Sequence, residues 1–586
     1  MKVVVVGGVA GGMSFAARAR RLSEDAQIVV LERDPYVSFA NCGLPYHLGG
    51  EIPRRDKLLL HTPATLAASL NLDVRTGHEV LSIDRAAKVV QVRDRHAGTV
   101  YDQPYDALML ATGAAPVVPP VPGVDLPQVR VLRTVPDVDT LRQIVEGGAR
   151  RAVVVGAGFI GLEVAEAYRH RGLEVAVVEL ADQVLIPLDP EMAQAVETAL
   201  CANGVEVHLG AALTSIHPAG PDWDGADGPD LSELSGHPVV VELSDGTYLP
   251  ADVVLLAVGV RPESALARAA GLELNARGAV VVDAHLRTTD PAIYAVGDSV
   301  EVIDAVTGAP TMVPLAGPAN RQGRDAANHL FGRPGMRAPV LGTAIVRVFD
   351  VVAAATGKNE KFLEAAGTPH HVVHLHPNQH AGYFPGARPI HLKVLFAPDG
   401  RVLGAQATGT EGVDKRMDVL ATAIRAGMTV ADLADLELSY APPFGSAKDP
   451  VNMAGMIGEN VLDGTIRLWY PADLAELPAE TVLLDVRTAK EFAAGHLPGA
   501  LNIAHTSLRR RISEVPDGVP VRIYCASGFR SYLAYRVLAQ EGWDDVATLD
   551  GGMATLAVAL PDLPLVTGEL PIAAPRPAAD AATVTR

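Results

Sequence analysis

The chain has 586 residues, of which 48% are hydrophobic and 20% charged, and it carries a formal charge of −19 at pH 7. At about 150 residues per domain this length predicts roughly four domains, and the hydrophobic content excludes disorder for all but short segments. The negative charge opposes binding to nucleic acid or to an anionic membrane surface. Three cysteines and no Cys/His cluster predict neither a disulfide scaffold nor a metal site, and free thiols are typical of a reducing cytoplasm. No uninterrupted apolar stretch reaches about 18 residues, so we expect no membrane segment.

The first predicted unit is a strand, a glycine turn, a helix and a second strand. Its segments are VVVV (3–6), GGVAGG (7–12), MSFAARARRL (13–22) and IVVLE (28–32). Such a βαβ unit binds a dinucleotide when its glycine turn lets a phosphate approach the backbone. Gly7, Gly11 and Gly12 fit that pattern, and Glu32 ends the second strand, but Val9 stands at the middle glycine position. Alone, this turn is also compatible with a plain strand-to-helix connection.

The same plan returns in a second unit. Its segments are RAVVV (151–155), GAGFIG (156–161), LEVAEAYRHRG (162–172) and VAVVE (175–179). Gly156, Gly158 and Gly161 complete the GxGxxG pattern of a dinucleotide site. Glu179 ends the next strand, where an acid binds the ribose 2′-hydroxyl and repels a 2′-phosphate. This unit therefore predicts an NAD(P)H site that favours NADH over NADPH.

Further segments surround these units. ALMLATGAAP (107–116) predicts a buried strand that ends in a tight turn, VVLLAVGV (253–260) predicts one long strand, and TTDPAIYAVGD (288–298) ends at Asp298. We expect the last two segments to return the chain to the first domain. Residues 217–238 are dense in Gly, Pro and Asp and predict a surface loop inserted in the second domain.

The order of these segments resembles that of the disulfide reductase flavoproteins with two dinucleotide-binding domains. The resemblance implies an FAD site and a nicotinamide site in one chain. The residues that it assigns to FAD are Gly7, Gly11, Gly12, Glu32, Ala111, Thr112, Gly113 and Asp298, the last on the ribityl chain.

Cys42 is the predicted redox centre. It lies in SFANCGLPY (38–46), where Pro45 is suited to open a helix with the thiol near its N-terminus, a position that stabilises a thiolate. A cysteine before a helix is also often a plain core residue. In glutathione-reductase-type flavoproteins a second cysteine lies five residues on, but here that residue is His47. Single-cysteine members form a mixed disulfide, persulfide or sulfenate on the one thiol.

Three strings, NCGLPY (41–46), HAGYFPGA (380–387) and ELSYAPPFGSAKDPVN (437–452), resemble coenzyme A-disulfide reductases. The resemblance implies that Tyr383 and Tyr440 reach the active-site sulfur from the partner subunit of a homodimer, although plain interface tyrosines are the alternative. The CoA candidates are Ser38, Asn41, Arg20 and Lys448, of which Arg20 is also compatible with a solvated helix charge. NADH oxidases and peroxidases carry a histidine where this chain has Ala10, so that reaction is the weaker alternative.

The last unit carries DVRTAKEFAAGHLPGALNI (485–503), CASGFRS (525–531) and LDGGM (549–553), which closely resemble a rhodanese domain. Cys525 ends a predicted buried strand, and the residues after it can curl so that backbone N–H groups converge on a thiolate or persulfide, with Arg530 adding positive charge. We expect Asp485, Arg487 and His496 to be structural and Cys201 to be buried and uninvolved.

The sequence thus predicts an α/β protein with two Rossmann-like domains, an α+β dimerisation domain and a rhodanese-like domain. The predicted bounds are 1–115 with 258–335 for FAD, 116–257 for NAD(P)H, 336–455 for dimerisation, 470–562 for the rhodanese domain and 566–586 for a disordered tail. The predicted activity is NADH-dependent reduction of CoA disulfide, CoA persulfide or polysulfide. The alternatives are an NADH oxidase or peroxidase, and a flavin-containing redox sensor or sulfur carrier.

Overall fold

The computed structural model describes residues 1–219, 237–336 and 338–568. It forms two compact units, one made of Met1–Thr368 and Leu403–Gly427, the other of Pro369–Val402 and the chain from Met428 onward. Within the described residues, no helix combines the length and the hydropathy that crossing a membrane requires. Most of the predicted surface loop, at 220–236, and most of the predicted tail, at 569–586, lie outside the described residues.

The first unit begins with a five-stranded parallel sheet. The first elements are β1 (Lys2–Val6), α1 (Ala10–Leu22), β2 (Gln27–Glu32), α2 (Leu44–Gly49), α3 (Pro63–Leu70), β3 (Asp73–Thr76), β4 (His78–Asp84), β5 (Val89–Asp94), β6 (Val100–Pro104), β7 (Ala107–Leu110), β8 (Ala114–Pro116), β9 (Val129–Arg130) and α4 (Val135–Glu146). The central strand β1 is apolar throughout its buried part because both faces of a parallel sheet are covered. β4, β5 and β6 form a separate antiparallel sheet. The predicted first βαβ unit is therefore present.

The second sheet repeats this plan. The next elements are β10 (Arg151–Val155), α5 (Phe159–His170), β11 (Glu174–Val178), α6 (Pro190–Ala202), β12 (Val205–His208), β13 (Leu213–Pro218), β14 (Val239–Leu243), β15 (Tyr248–Ala251), β16 (Val253–Leu256), β17 (Val260–Pro262), α7 (Ala265–Ala269), β18 (Ile293–Ala295), β19 (Val302–Ile303), β20 (Pro310–Thr311) and α8 (Ala316–Leu330). The strand orders are β18-β7-β1-β2-β3 in the first parallel sheet and β12-β11-β10-β16-β9 in the second, and β13, β14 and β15 form an antiparallel sheet.

The route between the two sheets differs in part from the prediction. Residues 288–298 do return to the first sheet, because β18 pairs with β7. Residues 253–260 do not form one strand, since β16 ends at Leu256 and pairs with β10 in the second sheet. The chain then passes Gly259, whose φ of +114° interrupts the extended run, before β17 pairs with β8. An apolar run shows that a strand is buried but not which sheet receives it.

The region after 336 divides between the two units. Its elements are β21 (Ala344–Val348), β22 (Val351–Gly357), α9 (Glu360–Ala365), β23 (His371–Leu375), β24 (Ile390–Phe396), β25 (Val402–Gly409), α10 (Val413–Ala426), α11 (Val430–Asp435) and α12 (Pro450–Leu462). In the first unit β22 pairs antiparallel with both β21 and β25. In the second unit β23 and β24 pair antiparallel.

The second unit ends in a smaller parallel sheet. Its elements are β26 (Leu468–Trp469), β27 (Val482–Asp485), α13 (Ala489–Ala494), β28 (Leu501–Asn502), β29 (Val521–Tyr524), α14 (Phe529–Gln540), β30 (Val546–Leu549) and α15 (Gly552–Ala559). The strand order is β26-β30-β29-β27-β28, and β27 and β29 are parallel neighbours. Cys525 and the Asp550 turn follow two adjacent strands, β29 and β30, at the same edge of this sheet.

Candidate active site

The first glycine turn packs directly against the turn that follows β7. Gly7 has a φ of +103°, and a Cβ added there would overlap the carbonyl oxygen of Ala111. A Cβ at Gly12 would overlap the carbonyl oxygen of Gly7 in the same way. Glycine is thus required at both positions by the protein's own backbone, which brings the turn at 111–113 beside the start of α1.

Each βαβ unit closes with the same carboxylate arrangement. The backbone N–H of Gly8 donates to Glu32 Oε2 at 2.8 Å, and that of Ala157 donates to Glu179 Oε2 at 2.7 Å. The other oxygen of each carboxylate accepts a second backbone N–H, from Asp34 and Ala181 respectively. Both acids are therefore fixed at the mouth of a glycine turn, where a ribose hydroxyl can reach them.

The middle glycine of the second turn faces open space. A Cβ at Gly161 would overlap the carbonyl oxygen of Gly156, so that glycine serves the packing of the turn. Among the described residues beyond its two chain neighbours, none has an atom within 4 Å of a Cβ built on Gly158. Packing within the protein therefore does not require glycine at this position. The free space fits the close approach of a pyrophosphate to the backbone.

A cavity of about 1860 Å³ in the first unit collects the residues assigned to FAD. Those that line it are Gly7, Gly11, Glu32, Ala111, Thr112, Gly113 and Asp298, together with Gly158 and Cys42. Gly12 lies beneath the turn and does not line the cavity. Burial raises the pKa of both Glu32 and Asp298. The size of the cavity, its glycine edges and its two acids suit an extended dinucleotide.

Cys42 sits in a single 3-10 turn, Asn41–Gly43, immediately before α2, and Pro45 lies in the first turn of that helix as predicted. The side chain is exposed to the cavity. Desolvation by the surrounding protein, followed by the negative charge of Glu163 and then of Asp298, raises the pKa of Cys42. The six-residue helix α2 begins directly after this turn, while desolvation and the two acids act against ionisation of the thiol.

Tyr46 and Glu163 form a pair in the cavity wall that sequence reasoning missed. The Tyr46 hydroxyl donates to Glu163 Oε1 at 3.0 Å, and both residues line the cavity with Cys42. Burial raises the pKa of Glu163 to about 7. The available sequence signals were weak: Tyr46 follows Cys42 by one helical turn, and Glu163 lies on α5 two residues beyond the last glycine of the second turn.

A second missed group lies at Glu263, which also lines the cavity. Its carboxylate forms ion pairs with Arg33 and Arg133, the latter at 2.9 Å. The Thr112 hydroxyl donates to its carbonyl oxygen at 2.6 Å. Burial opposes ionisation here, but the two arginines lower the pKa of Glu263 below its usual value. Glu263 thus holds the guanidinium groups of Arg33 and Arg133 at the cavity, beside the turn at 111–113.

The CoA candidates do not share one environment. Arg20 is 3% exposed, and its guanidinium donates to the carbonyl oxygens of Ser23, Glu24, Leu70 and Asn71. This arginine ties the end of α1 to the end of α3, so it is neither a free ligand for CoA nor a solvated charge. Asn41 lines the cavity, and Ser38 adopts a φ of +46°. Lys448 is exposed in the second unit.

Other arginines near Arg20 remain accessible. Desolvation and the positive charges of Arg324, Arg21 and Arg333 lower the pKa of Arg18. The Arg18 side chain donates to Asn328 Oδ1 at 2.8 Å. These arginines lie on α1, on α8 and just after α8, and they form a cationic cluster that sequence reasoning passed over, because single arginines on a helix face are common.

Tyr383 and Tyr440 lie together in the second unit. Their hydroxyl oxygens are 3.3 Å apart, and the side chains are 76% and 48% exposed. Neither tyrosine is buried within this chain. The structure brings the two predicted residues into contact and leaves both free to meet another molecule.

Cys525 directly follows β29 and is 1% exposed. The backbone N–H of Gly528, which has a φ of +94°, donates to its sulfur at 3.2 Å. Arg530 lies in the first turn of α14, and its guanidinium donates to both carboxylate oxygens of Glu491, at 2.7 and 2.8 Å. Arg530 holds the pKa of Glu491 well below its usual value. Glu491 is a member of this site that sequence reasoning missed.

Four residues are expected to take no part in the chemistry, and the structure agrees with the expectation for three of them. Asp485 is buried and accepts from the Arg487 guanidinium, and buried His496 contacts the carbonyl oxygen of Phe492. These contacts agree with structural roles. Cys201, in contrast, is exposed near the end of α6, so the expectation that it is buried is wrong. It lies on the polar side of that helix.

Three family models match the chain. Their descriptions are Pyridine nucleotide-disulphide oxidoreductase for residues 1–317, Pyridine nucleotide-disulphide oxidoreductase, dimerisation domain, for residues 343–450, and Rhodanese-like domain for residues 470–557. The matched regions follow the predicted order of domains.

Two solved structures are similar over nearly the whole chain. Reduced CoADR-RHD from Bacillus anthracis is 43% identical with a TM-score of 0.91, covering 96% of this chain and 99% of that one. A NAD-dependent persulfide reductase from A. fulgidus is 38% identical with a TM-score of 0.86, covering 95% and 100%. Two relatives match 78% of this chain and 98% of their own length at 34% identity: an NADH oxidase from Methanocaldococcus jannaschii and a coenzyme A disulfide reductase from Staphylococcus haemolyticus.

Proposed function

The chain belongs to the pyridine nucleotide-disulphide oxidoreductase family and carries a rhodanese-like domain, and from this premise we propose that it reduces CoA-linked sulfur with NADH. Cys42 is the redox centre of this reaction and Cys525 is a separate sulfurtransferase centre. The observation that carries the proposal is the single cavity that holds Cys42 together with the residues assigned to FAD. Ala10 lines the same cavity, where the oxidases and peroxidases that this chain resembles have a histidine.

The cofactor sites suit FAD and NADH. Gly7, Gly11, Glu32, Asp298 and the turn at 111–113 would hold the flavin, and the free space over Gly158 with the fixed Glu179 would hold the nicotinamide dinucleotide. A bound flavin supplies a two-electron relay that accepts a hydride from the nicotinamide and delivers an electron pair to sulfur. The carboxylate of Glu179 disfavours the extra phosphate of NADPH.

Cys42 acts as the nucleophile. Its thiolate attacks a sulfur of CoA disulfide, a Cys42–CoA disulfide bond forms, and one CoA thiolate leaves. With CoA persulfide, attack on the outer sulfur leaves a persulfide on Cys42 and releases the CoA thiolate. Two electrons and a proton then return Cys42 to the thiolate and release CoA thiol or hydrogen sulfide. Cys201 lies on α6, and His47 stands where a second local thiol would be. Cys42 therefore acts without a dithiol partner in its own chain.

The substrate is held by charge and by a partner subunit. The cationic cluster of Arg18, Arg21, Arg324 and Arg333 suits the phosphates of CoA, with Ser38 and Asn41 as further ligands. Arg20 is not part of this proposal, since its guanidinium is already bonded to four carbonyl groups. The exposure of Tyr383 and Tyr440 supports a homodimer in which each pair faces the partner's Cys42. A match to the dimerisation-domain model supports the same assembly.

The rhodanese-like domain favours persulfide or polysulfide over symmetrical CoA disulfide. The sulfur of Cys525 accepts the backbone N–H of Gly528, and a donor at this position suits an anionic persulfide. Sulfur collected there can pass to CoA, whose flexible arm then presents it to Cys42. In such a relay Cys525 serves as a sulfur carrier, whereas the reduction of CoA disulfide requires no sulfur carrier.

Steady-state kinetics with one preparation test the proposal. NADH consumption is measured anaerobically with CoA persulfide, polysulfide, CoA disulfide and hydrogen peroxide, and with oxygen in a separate run. We expect the highest kcat/KM with CoA persulfide and the lowest with peroxide and oxygen. The name of the M. jannaschii relative favours NADH oxidase as a second candidate, and a preference for oxygen would establish it instead. Slow turnover with every acceptor would indicate a redox sensor or sulfur carrier.

A further inference from the structure

A strand of the dimerisation region reaches the turn behind Cys525. His374 lies on β23, and its backbone N–H donates to Asp550 Oδ1 at 2.9 Å. Its ring Nδ1 lies 2.7 Å from Asp550 Oδ2, so the imidazole donates a second hydrogen bond to the same carboxylate. His374 and Asp550 are both buried. Buried hydrogen bonds to a carboxylate are strong and directional, so this pair fixes the orientation of Asp550.

Asp550 begins a turn that only glycine can continue. Gly551 and Gly552 have φ values of +63° and +64°, two consecutive left-handed residues. A Cβ on Gly551 would lie 3.0 Å from Cβ of His374 and would overlap the hydroxyl oxygen of Thr555. The turn is therefore pressed closely against β23 on this side, and it has no room to shift towards that strand.

The opposite side of the same turn supports the Cys525 loop. A Cβ on Gly552 would lie 2.6 Å from the carbonyl oxygen of Cys525 and 2.9 Å from the backbone nitrogens of Ser527 and Gly528. The backbone N–H of Met553 donates to the carbonyl oxygen of Cys525 at 2.8 Å. The Gly528 nitrogen that such a Cβ would meet is the one that donates to the Cys525 sulfur. A displacement of the turn therefore moves a donor at the reacting sulfur.

A second histidine, His376, also contacts the segment that follows Asp550. His376 Nε2 lies 2.8 Å from the Thr555 hydroxyl oxygen, and His376 Nδ1 lies 2.7 Å from His391 Nδ1 on the paired strand β24. Burial lowers the pKa of His376 to about 3, so both contacts are made by a neutral ring. The β23–β24 hairpin thus contacts both ends of the segment 550–555.

We propose that His374 is a positioning residue of the sulfurtransferase site, holding the Asp550 turn so that the backbone N–H groups of the Cys525 loop converge on the sulfur. The rhodanese-like site is thereby completed by a strand that lies outside the rhodanese-like sequence. This inference rests on the proposed sulfurtransferase function of Cys525. Donors in a prearranged position stabilise a developing sulfur anion without the cost of reorganising at each transfer.

Two substitutions at His374 separate positioning from packing. His374→Phe keeps a ring but removes the donor, whereas His374→Asn places an amide N–H near the position of Nδ1. His371→Phe is the matched control, because His371 lies on the same strand and its ring contacts Phe396. Each full-length variant is assayed for transfer of sulfur from thiosulfate to cyanide. The alkylation rate of Cys525 by iodoacetamide is followed by peptide mass spectrometry, and NADH-dependent reduction of CoA disulfide reports on the Cys42 site.

We expect His374→Phe to lower kcat for sulfur transfer by about tenfold or more, the size of a lost buried hydrogen bond to a charged group, and to slow alkylation of Cys525. His374→Asn should recover most of both rates, and CoA disulfide reduction and the His371→Phe rates should stay near wild type. Wild-type rates in His374→Phe, or equal losses in the Phe and Asn variants, would overturn the inference. If the wild-type protein transfers no sulfur, the proposed function fails instead, and the alkylation rates still decide whether His374 positions the loop.

Discussion

The hydroxyl of Tyr46 donates a 3.0 Å hydrogen bond to Glu163, a half-buried carboxyl group whose pKa is raised to about 7 in the wall of the Cys42 cavity. The folded chain keeps the proton on Glu163 up to about that pH, whereas the unfolded chain loses it near the ordinary value of 4.5. Stability from this group is therefore present at low pH and lost as the pH rises from about 4.5 through 7.

Glu163→Gln should remove this loss, because the amide is neutral at every pH. The melting temperature of the variant relative to wild type should rise between pH 5 and pH 8, by an amount equivalent to no more than about 3 kcal/mol. Glu146→Gln is the control, since Arg142 lowers the pKa of Glu146 and its effect should be constant over this range. Thermal melts of the apoprotein and of the flavin-loaded protein make the measurement. A difference for Glu163→Gln that does not change with pH would contradict the assignment.

Glu179 should set the preference for NADH. Glu179→Ala removes the carboxylate beside the ribose, so we expect kcat/KM for NADH to fall by about tenfold and the preference over NADPH to shrink. Glu174→Ala, at the opposite end of β11, should leave the preference unchanged. Initial rates with each nucleotide provide the test. An equal or better kcat/KM with NADPH in the wild-type protein would refute the role of Glu179.

The tyrosine pair should act at the sulfur step and not at the hydride step. Tyr383→Phe and Tyr440→Phe each remove a hydroxyl that we place at the partner's Cys42, so reoxidation by CoA persulfide should slow by about tenfold. Reduction by NADH, followed by stopped-flow absorbance of the flavin, should stay near normal. Light scattering should give a dimer for all three proteins. A fully active monomer would rule out the partner-subunit arrangement.

Gly552 should be more sensitive to alanine than other left-handed glycines. Gly552→Ala brings a methyl group against the carbonyl oxygen of Cys525, whereas Gly98 has a similar φ of +71° and, among the described residues, no atom within 4 Å of an added Cβ. Both variants carry the backbone strain of about 1 kcal/mol, but only Gly552→Ala should abolish sulfur transfer at Cys525. Thiosulfate:cyanide assays compare the two. Equal activity in both variants would show that the turn does not govern the Cys525 loop.

Much of the fold could be predicted because its signals are local. The two glycine turns, the apolar strands beside them and the loop after Cys525 each depend on residues close together in the chain. The Tyr46–Glu163 pair could not be found in this way, because the two residues are 117 positions apart and neither belongs to a recognisable motif.

The same limit explains two wrong expectations. Arg20 lies on a helix with other arginines and resembles a ligand for phosphate, but the carbonyl groups that enclose it include two from the end of α3 and its C-cap, 50 and 51 positions further on. Residues 253–260 are apolar enough for one long strand, but strand pairing and the backbone turn at Gly259 divide them. The contact between His374 and Asp550 spans 176 positions and joins two regions that the sequence treats as separate domains.

The most direct test replaces the two exposed cysteines of the protein, Cys42 and Cys201, one at a time. Cys42→Ser and Cys201→Ser are compared with wild type for anaerobic NADH consumption with CoA persulfide, after flavin content is measured by absorbance. All three proteins should bind one FAD per chain, and Cys201→Ser should match wild type because its thiol lies on α6, outside the cavity lining. Cys42→Ser should show no turnover above the rate without enzyme. Substantial reduction of CoA persulfide by Cys42→Ser would contradict the single-thiol mechanism.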